Sequence, residues 1–203
     1  MLTKIKDKVI NGERLTKKDG IALYNSTDII AIGRLADFVR MIKHGTKAFY
    51  VYNQHINYTN VCSNRCLFCA YARDDNELDA FTSSIDIIKK QMLDRIDEPV
   101  TELHIVGGLN PALDFSYYLN LLKAVKEIRP NATIKAFTAV EIDYLSKISK
   151  LSIEETIEKL KIAGLAMMPG GGAEILSDRV RDKLFPKKIS ANRWLEITES
   201  NTK

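Results

Sequence analysis

The sequence predicts an α/β protein with helices packed on a parallel sheet, and three observations predict it. Short runs rich in β-branched and apolar residues alternate with longer runs of helical period, four times over, after a helical N-terminal segment. Two of the short runs close on glycines, Gly107-Gly108 and Gly170-Gly171-Gly172. No repeat of solenoid period, low-complexity tract or Pro/Gly/Ser linker interrupts the pattern. Strictly alternating units imply a parallel sheet with its helices outside, either an open doubly wound sheet or a (β/α) barrel. In both, function gathers at the C-terminal ends of the strands.

Taken in order, residues 1–49 read as a helical segment. Asp19 to His44 carries apolar residues at three- and four-residue intervals (Ile32, Leu35, Ala36, Val39), and Gly45 offers a stop. Residues 50–203 read as the β-α portion. "KAFYVYNQHINYT" is β-rich and is followed by an amphipathic helix, "SSIDIIKKQMLDRI", capped by Ser83 or Ser84. "TELHIVGG" is a short strand, and "DFSYYLNLLKAVKEIRP" a helix ended by Pro130. "TIKAFTAV" is the third strand. "LSIEETIEKLKIAG" places Ser152 and Glu155 in capping-box spacing and closes at Gly164. "LAMMPGGG" is a fourth strand, followed by helix-like "ILSDRVRDKLF" and "SANRWLEI". The strands near 50–58, 101–107, 133–139 and 164–169 are expected to be parallel neighbours in chain order.

At 203 residues the chain is long enough for one domain with a sizeable core. Its 45% hydrophobic and 28% charged shares are those of a soluble globular protein. No run approaches the roughly 18 apolar residues of a membrane span, and the charged N-terminus lacks a signal-peptide core, so a cytoplasmic protein without membrane partners is expected. The net charge of +4 comes from interspersed acids and bases rather than a basic stripe, which argues against nucleic acid as a partner.

The 3 cysteines all fall within "CSNRCLFC", as Cys62, Cys66 and Cys69. An odd number in a reducing compartment argues against disulfides and for metal or redox chemistry. Thiolates suit soft metals, iron–sulfur clusters among them. A structural zinc takes four ligands, and here there is no fourth cysteine. His44, His55 and His104 are isolated and read as packed or surface histidines. Three ligands leave an open position on a four-iron cube, and a catalytic zinc also keeps one open, so ligand number alone leaves both possible.

The spacing Cys-x3-Cys-x2-Cys on a loop after the first strand, ending in "CLFC" with Phe68, resembles the signature of the radical S-adenosylmethionine (radical SAM) superfamily. That resemblance implies a radical SAM (β/α) barrel. It also implies a 4Fe–4S cluster on Cys62, Cys66 and Cys69, with SAM as co-substrate on the open iron. Gly107 and Gly108 would then form the turn that receives the SAM amine, since glycines let backbone approach a ligand closely. The sequence there is "GGLNP", without the usual acid, so Asn110 or a backbone carbonyl would have to serve.

Longer runs resemble one family in particular, the aminofutalosine (aminodeoxyfutalosine) synthases of menaquinone biosynthesis. They are "GIALYNSTDIIAIGRLADFVR", "INYTNVCSNRCLFCAYAR", "ELHIVGGLNP", "IKAFTAVEID" and "MPGGGAEILSDRVRDKLFPKKISANRWLEI". The resemblance implies that a 5′-deoxyadenosyl radical adds to 3-[(1-carboxyvinyl)oxy]benzoate and, with loss of carboxylate, gives 6-amino-6-deoxyfutalosine. A flavodoxin- or ferredoxin-type donor would feed the cluster. Glu141, after the third strand, would meet the SAM ribose. Arg73, Arg179, Arg181, Gly171 and Glu174 flank the cysteine loop or the fourth strand and would contact the carboxylated ligands, arginine offering a bidentate fork. Only four β-α units are legible where a complete barrel has eight, so an N-terminal half is expected, inactive alone and lacking a C-terminal half as partner. The alternatives are a cyclic dehypoxanthinyl futalosine synthase-like enzyme, which shares the cysteine loop, and a non-catalytic metal-binding module.

Overall fold

The computed structural model describes residues 2–200 and divides into two compact units, meeting between Tyr50 and Val51. The first unit is helical: α1 (Leu2–Ile10), α2 (Lys17–Tyr24) and α3 (Ile29–His44). Helix α1 lies within the segment read as helical, although its lysines obscure its period. It forms because Leu2, Ile5 and Val9 recur on one face, and Ile5 is buried. Thr16 and Asp19 make a reciprocal capping box at the start of α2, and Lys8 reaches from α1 to Asp19 at 2.7 Å. Asp28 caps α3 through the Ala31 amide, and Gly45 follows at its end with φ +59°.

The second unit runs β1 (Asn53–Asn57), α4 (Ile85–Leu93), β2 (Glu102–Val106), α5 (Phe115–Ile128), β3 (Thr133–Ala136), α6 (Ala139–Ser149), α7 (Ile153–Ala163), α8 (Asp178–Leu184) and α9 (Ala191–Ser200). The three strands are parallel neighbours in the order β1-β2-β3. Gln54 pairs with Leu103, Ile56 with Ile105, and Leu103 with Ile134. The fourth expected strand is shorter than its sequence suggested. It is a single parallel bridge, Lys135 to Met167, supported by the Ala136 amide on the Met167 carbonyl at 2.9 Å. Helix α6 was not legible, because "TAVEI" continues the β-branched character of β3. Thr138 decides it, capping the helix reciprocally with Glu141.

Alternation sets the two faces of the sheet. Ile56, Leu103, Ile105, Ile134 and Ala136 point to one side, where they pack with Ile88, Met92, Leu121, Leu122, Val125, Ile142, Leu145, Leu160 and Ile197 of the covering helices. Ser84, Asp114, Thr138 and Ser152 cap the helices that carry this apolar surface. The other face carries Asn53, His55, Asn57, His104 and Lys135, exposed or half-buried. Strands covered by apolar layers on both faces read as continuous hydrophobic runs, and these do not. Among the described residues, no helix is long and apolar enough to cross a membrane.

Candidate functional site

The chain leaves β1 through Tyr58 and Thr59 and enters the cysteine loop, which the backbone pins on three sides. The Cys62 amide donates to the Arg73 carbonyl at 3.0 Å, Ser63 to Leu109 at 3.0 Å, and Leu67 to Leu184 at 2.8 Å. The loop is thereby held against the end of β2 and the end of α8. Arg65 inside it adopts φ +44°, and Phe137 and Glu174 adopt +57° and +53°. Such left-handed geometry is costly for side chains with a Cβ and is retained where surrounding structure enforces it.

These segments enclose a cleft of about 420 Å³. Cys62, Cys66, Cys69 and Phe68 line it together with Gly107, Glu141, Gly171 and Glu174, so eight of the residues expected from sequence meet in one place. Gly108 is not in the lining, and packs instead against Val61 and Cys62 at the start of the cysteine loop. A Cβ on Gly108 would stand 2.1 Å from the Val61 carbonyl oxygen, and one on Gly107 would stand 2.7 Å from the Tyr58 ring. Only glycines allow the β2 turn to pack this closely onto the cysteine loop.

Glu141 is 3% exposed, and its carboxylate is occupied by the chain itself. Oε1 accepts from the Tyr58 hydroxyl at 2.8 Å and the Gly107 amide at 3.1 Å. Oε2 accepts from the Thr138 amide at 2.7 Å and the Thr138 hydroxyl at 2.9 Å. The residue expected to meet a ribose therefore braces the ends of β1, β2 and β3 against one another. Burial pushes its carboxyl above the ordinary range, and the hydrogen bonds from Thr138, Tyr58 and Gly107 oppose that shift.

The arginines expected to bind carboxylates lie outside the cleft lining. Arg73 grips Asp79 through Nε and Nη2, both at 2.7 Å, and gives Nη1 to the Ala70 and Ala72 carbonyls. Arg181 is buried, donates to the Ala173 and Ile175 carbonyls at 2.7 and 2.8 Å and to that of Ile189, and lies over the Phe185 ring. Both hold loops together. Asn110 is likewise spent internally, donating to Thr82 Oγ1 at 2.8 Å and accepting from the Ala112 amide at 2.9 Å.

Lys188 is the cation the sequence did not announce. Its side chain is only 10% exposed, its ammonium pairs with Glu174 at 2.7 Å, and it lies over the rings of Phe68 and Phe185. Burial raises the Cys66 thiol and the Lys188 charge opposes this. His104, read from sequence as isolated, also lines the cleft. The alternation of β2 held the signal, because apolar Leu103 and Ile105 turn His104 to the opposite face.

The donor set fits an iron–sulfur cluster. Three thiols, from Cys62, Cys66 and Cys69, share one cleft. A cube of iron and sulfide presents its corners to separated thiolates, and all three donors are soft.

A parallel sheet in chain order opens at its C-terminal rim on three thiols and a close-packed glycine turn, the arrangement of an α/β protein with a thiolate-held centre at its strand ends. Residues 56–200 match the radical SAM superfamily, and the chain belongs to it. Membership implies a 4Fe–4S cluster and SAM as its cofactors. The chain is similar, at 42% identity over 97% of its length and 53% of the relative's, to aminodeoxyfutalosine synthase of Thermus thermophilus. It is 34% identical, over 98% of its length and 54% of the relative's, to cyclic dehypoxanthine futalosine synthase of Halalkalibacterium halodurans. Among solved structures, methylornithine synthase matches with a TM-score of 0.71 at 20% identity, over 97% of this chain and 55% of that one, which shows the shared fold. The chain spans about half the length of the curated relatives it matches.

Proposed function

We propose that the chain serves an aminodeoxyfutalosine synthase, acting on 3-[(1-carboxyvinyl)oxy]benzoate with SAM as co-substrate. The observation that carries the radical chemistry is the convergence of Cys62, Cys66 and Cys69 on one cleft beside the Gly107–Gly108 turn. The 42% identity to the Thermus thermophilus relative, against 34% to the cyclase, favours this substrate over the cyclase reading. Cys62, Cys66 and Cys69 would hold a 4Fe–4S cluster, which, fed by a flavodoxin- or ferredoxin-type donor, would supply the one-electron reduction of SAM that yields methionine and the 5′-deoxyadenosyl group for addition to the vinyl carbon. Within this scheme Gly107 and Gly108 bring backbone close to SAM, and Glu141 holds that turn in place. Phe68, held edge to face on the buried Phe185 ring, gives the thiol side of the cleft an apolar wall.

The test is an anaerobic assay of the reconstituted chain, alone and fused to the part of the Thermus thermophilus relative that it does not match. With SAM, reductant and 3-[(1-carboxyvinyl)oxy]benzoate, the fusion should form 6-amino-6-deoxyfutalosine, detected by mass. The chain alone should give at most 5′-deoxyadenosine. A fusion that cleaves SAM but leaves the benzoate unconsumed would refute the assignment.

A further inference from the structure

We infer that the in-register row His55, His104 and Lys135, on the face of the sheet turned away from the helices, is the floor of the substrate site and binds the carboxylate of an aromatic acid. Pairing places His55 opposite His104 and His104 opposite Lys135, so one residue from each strand stands at the same level. The two imidazoles meet edge to face with centroids 5.0 Å apart. One level nearer the rim, Asn57 and Val106 line the thiol cleft, and His104 lines it too. The row is thus continuous with the cleft and lies beneath it.

The level is polar across all three strands, whereas the helix-facing side of the same strands is mostly apolar. Lys135 pairs with Glu102 at 2.6 Å, and the pair is asymmetric: the lysine side chain is 23% exposed and the glutamate 8%. The carboxylate is buried while the ammonium remains accessible, with N–H groups beyond the one that Glu102 engages. Burial, with Lys135 and His55 nearby, lowers the His104 pKa, so its imidazole is neutral at pH 7 and offers an N–H donor. An anion meeting an ammonium and an imidazole N–H makes charge-assisted bonds, and the paired rings give an aromatic ligand a surface to pack on.

This inference rests on the reading that the substrate is a benzoate, and its test separates the two. The chain has 3 histidines, two in the row and His44 as an internal control. In the reconstituted chain with isotopically labelled histidine, benzoate should shift the His55 and His104 resonances and leave His44 unmoved. Benzamide, lacking the charge, should shift none of the three. The double variant Lys135→Met/Glu102→Gln removes the ion pair without stranding a buried charge and should weaken benzoate binding at least about tenfold, with SAM affinity unchanged. Lys135→Arg should retain binding. Absence of shifts at His55 and His104, or benzoate affinity unaltered in the double variant, would overturn the inference. Lys135-dependent binding of benzoate but not of 3-[(1-carboxyvinyl)oxy]benzoate would leave the row standing and defeat the substrate assignment.

Discussion

The Tyr58 hydroxyl donates to Glu141 Oε1 at 2.8 Å, joining residues 83 positions apart beneath the glycine turn. Tyr58 is fully buried, and its ring also packs edge to face on Tyr118 and Phe137. Tyr58→Phe keeps that packing and removes one donor to a buried carboxylate, which costs about 1.5–3 kcal/mol. Glu141→Ala strands the remaining donors as well and should cost more. Glu141→Ala should also weaken SAM binding, because the Gly107 amide loses its acceptor, whereas Tyr58→Phe keeps that bond and should affect SAM less. Urea midpoints and SAM titrations of the two proteins check this.

The same carboxyl sets a pH dependence. Burial raises its pKa above the usual 4.5, so the folded protein holds the proton more tightly than the unfolded chain. Its contribution is fully present below about 4.5 and is lost as pH rises through the folded pKa. Glu141→Gln cannot titrate, so its stability relative to wild type should improve as pH rises from about 4.5 through the folded pKa, and level off above it. Denaturation curves of both proteins across the pH range test the sign. A constant difference would show that the group does not titrate abnormally.

Gly108→Ala should be the most damaging glycine substitution, since its methyl would stand 2.1 Å from a backbone oxygen that cannot swing aside. Gly107→Ala meets a ring at 2.7 Å and should be milder, on the order of the 1–3 kcal/mol of an overpacked core. Thermal melts of the two apo-proteins rank them. Equal tolerance at both positions would contradict the packing described.

Leu103 is fully buried in the middle of the sheet, between Gln54 and Ile134 in the ladder. Leu103→Ala should cost about 2–5 kcal/mol in urea unfolding. Because the residue lies on the helix side, the iron content of the reconstituted folded protein should stay unchanged.

Features written in neighbouring residues were legible in the sequence. Ser152 and Glu155 sit three apart and form the capping box of α7 as their spacing implied. The cysteine loop, the glycine turns and the parallel order of the strands were legible in the same way. What depends on partners distant in the chain was not. Nothing near Glu141 announces Tyr58, and Arg181 resembles any helix-surface arginine until Ala173, Ile175 and Ile189 turn their carbonyls toward it. Lys188 reaches the cleft through contacts with Glu174 and Phe68, 14 and 120 positions away, and nothing beside it in the chain announces them. The fourth strand was overestimated because Leu165 to Met168 are apolar, while the backbone there forms one bridge.

Cys62, Cys66 and Cys69 are the only cysteines of the chain, so each single change to alanine removes a third of the available thiolates. Each variant should lose the brown chromophore of the reconstituted protein, measured with its iron and acid-labile sulfide. Three variants that all retain a full complement of iron would place the cluster elsewhere.

The most direct test of the central claim is electron paramagnetic resonance of the anaerobically reconstituted and reduced chain, with and without SAM. A 4Fe–4S cluster with an open iron beside the Gly107–Gly108 turn predicts a spin-½ signal whose g values shift when SAM is added, and which the Cys69→Ala variant lacks. A protein that takes up zinc in place of iron, or an iron–sulfur signal indifferent to SAM, would contradict it.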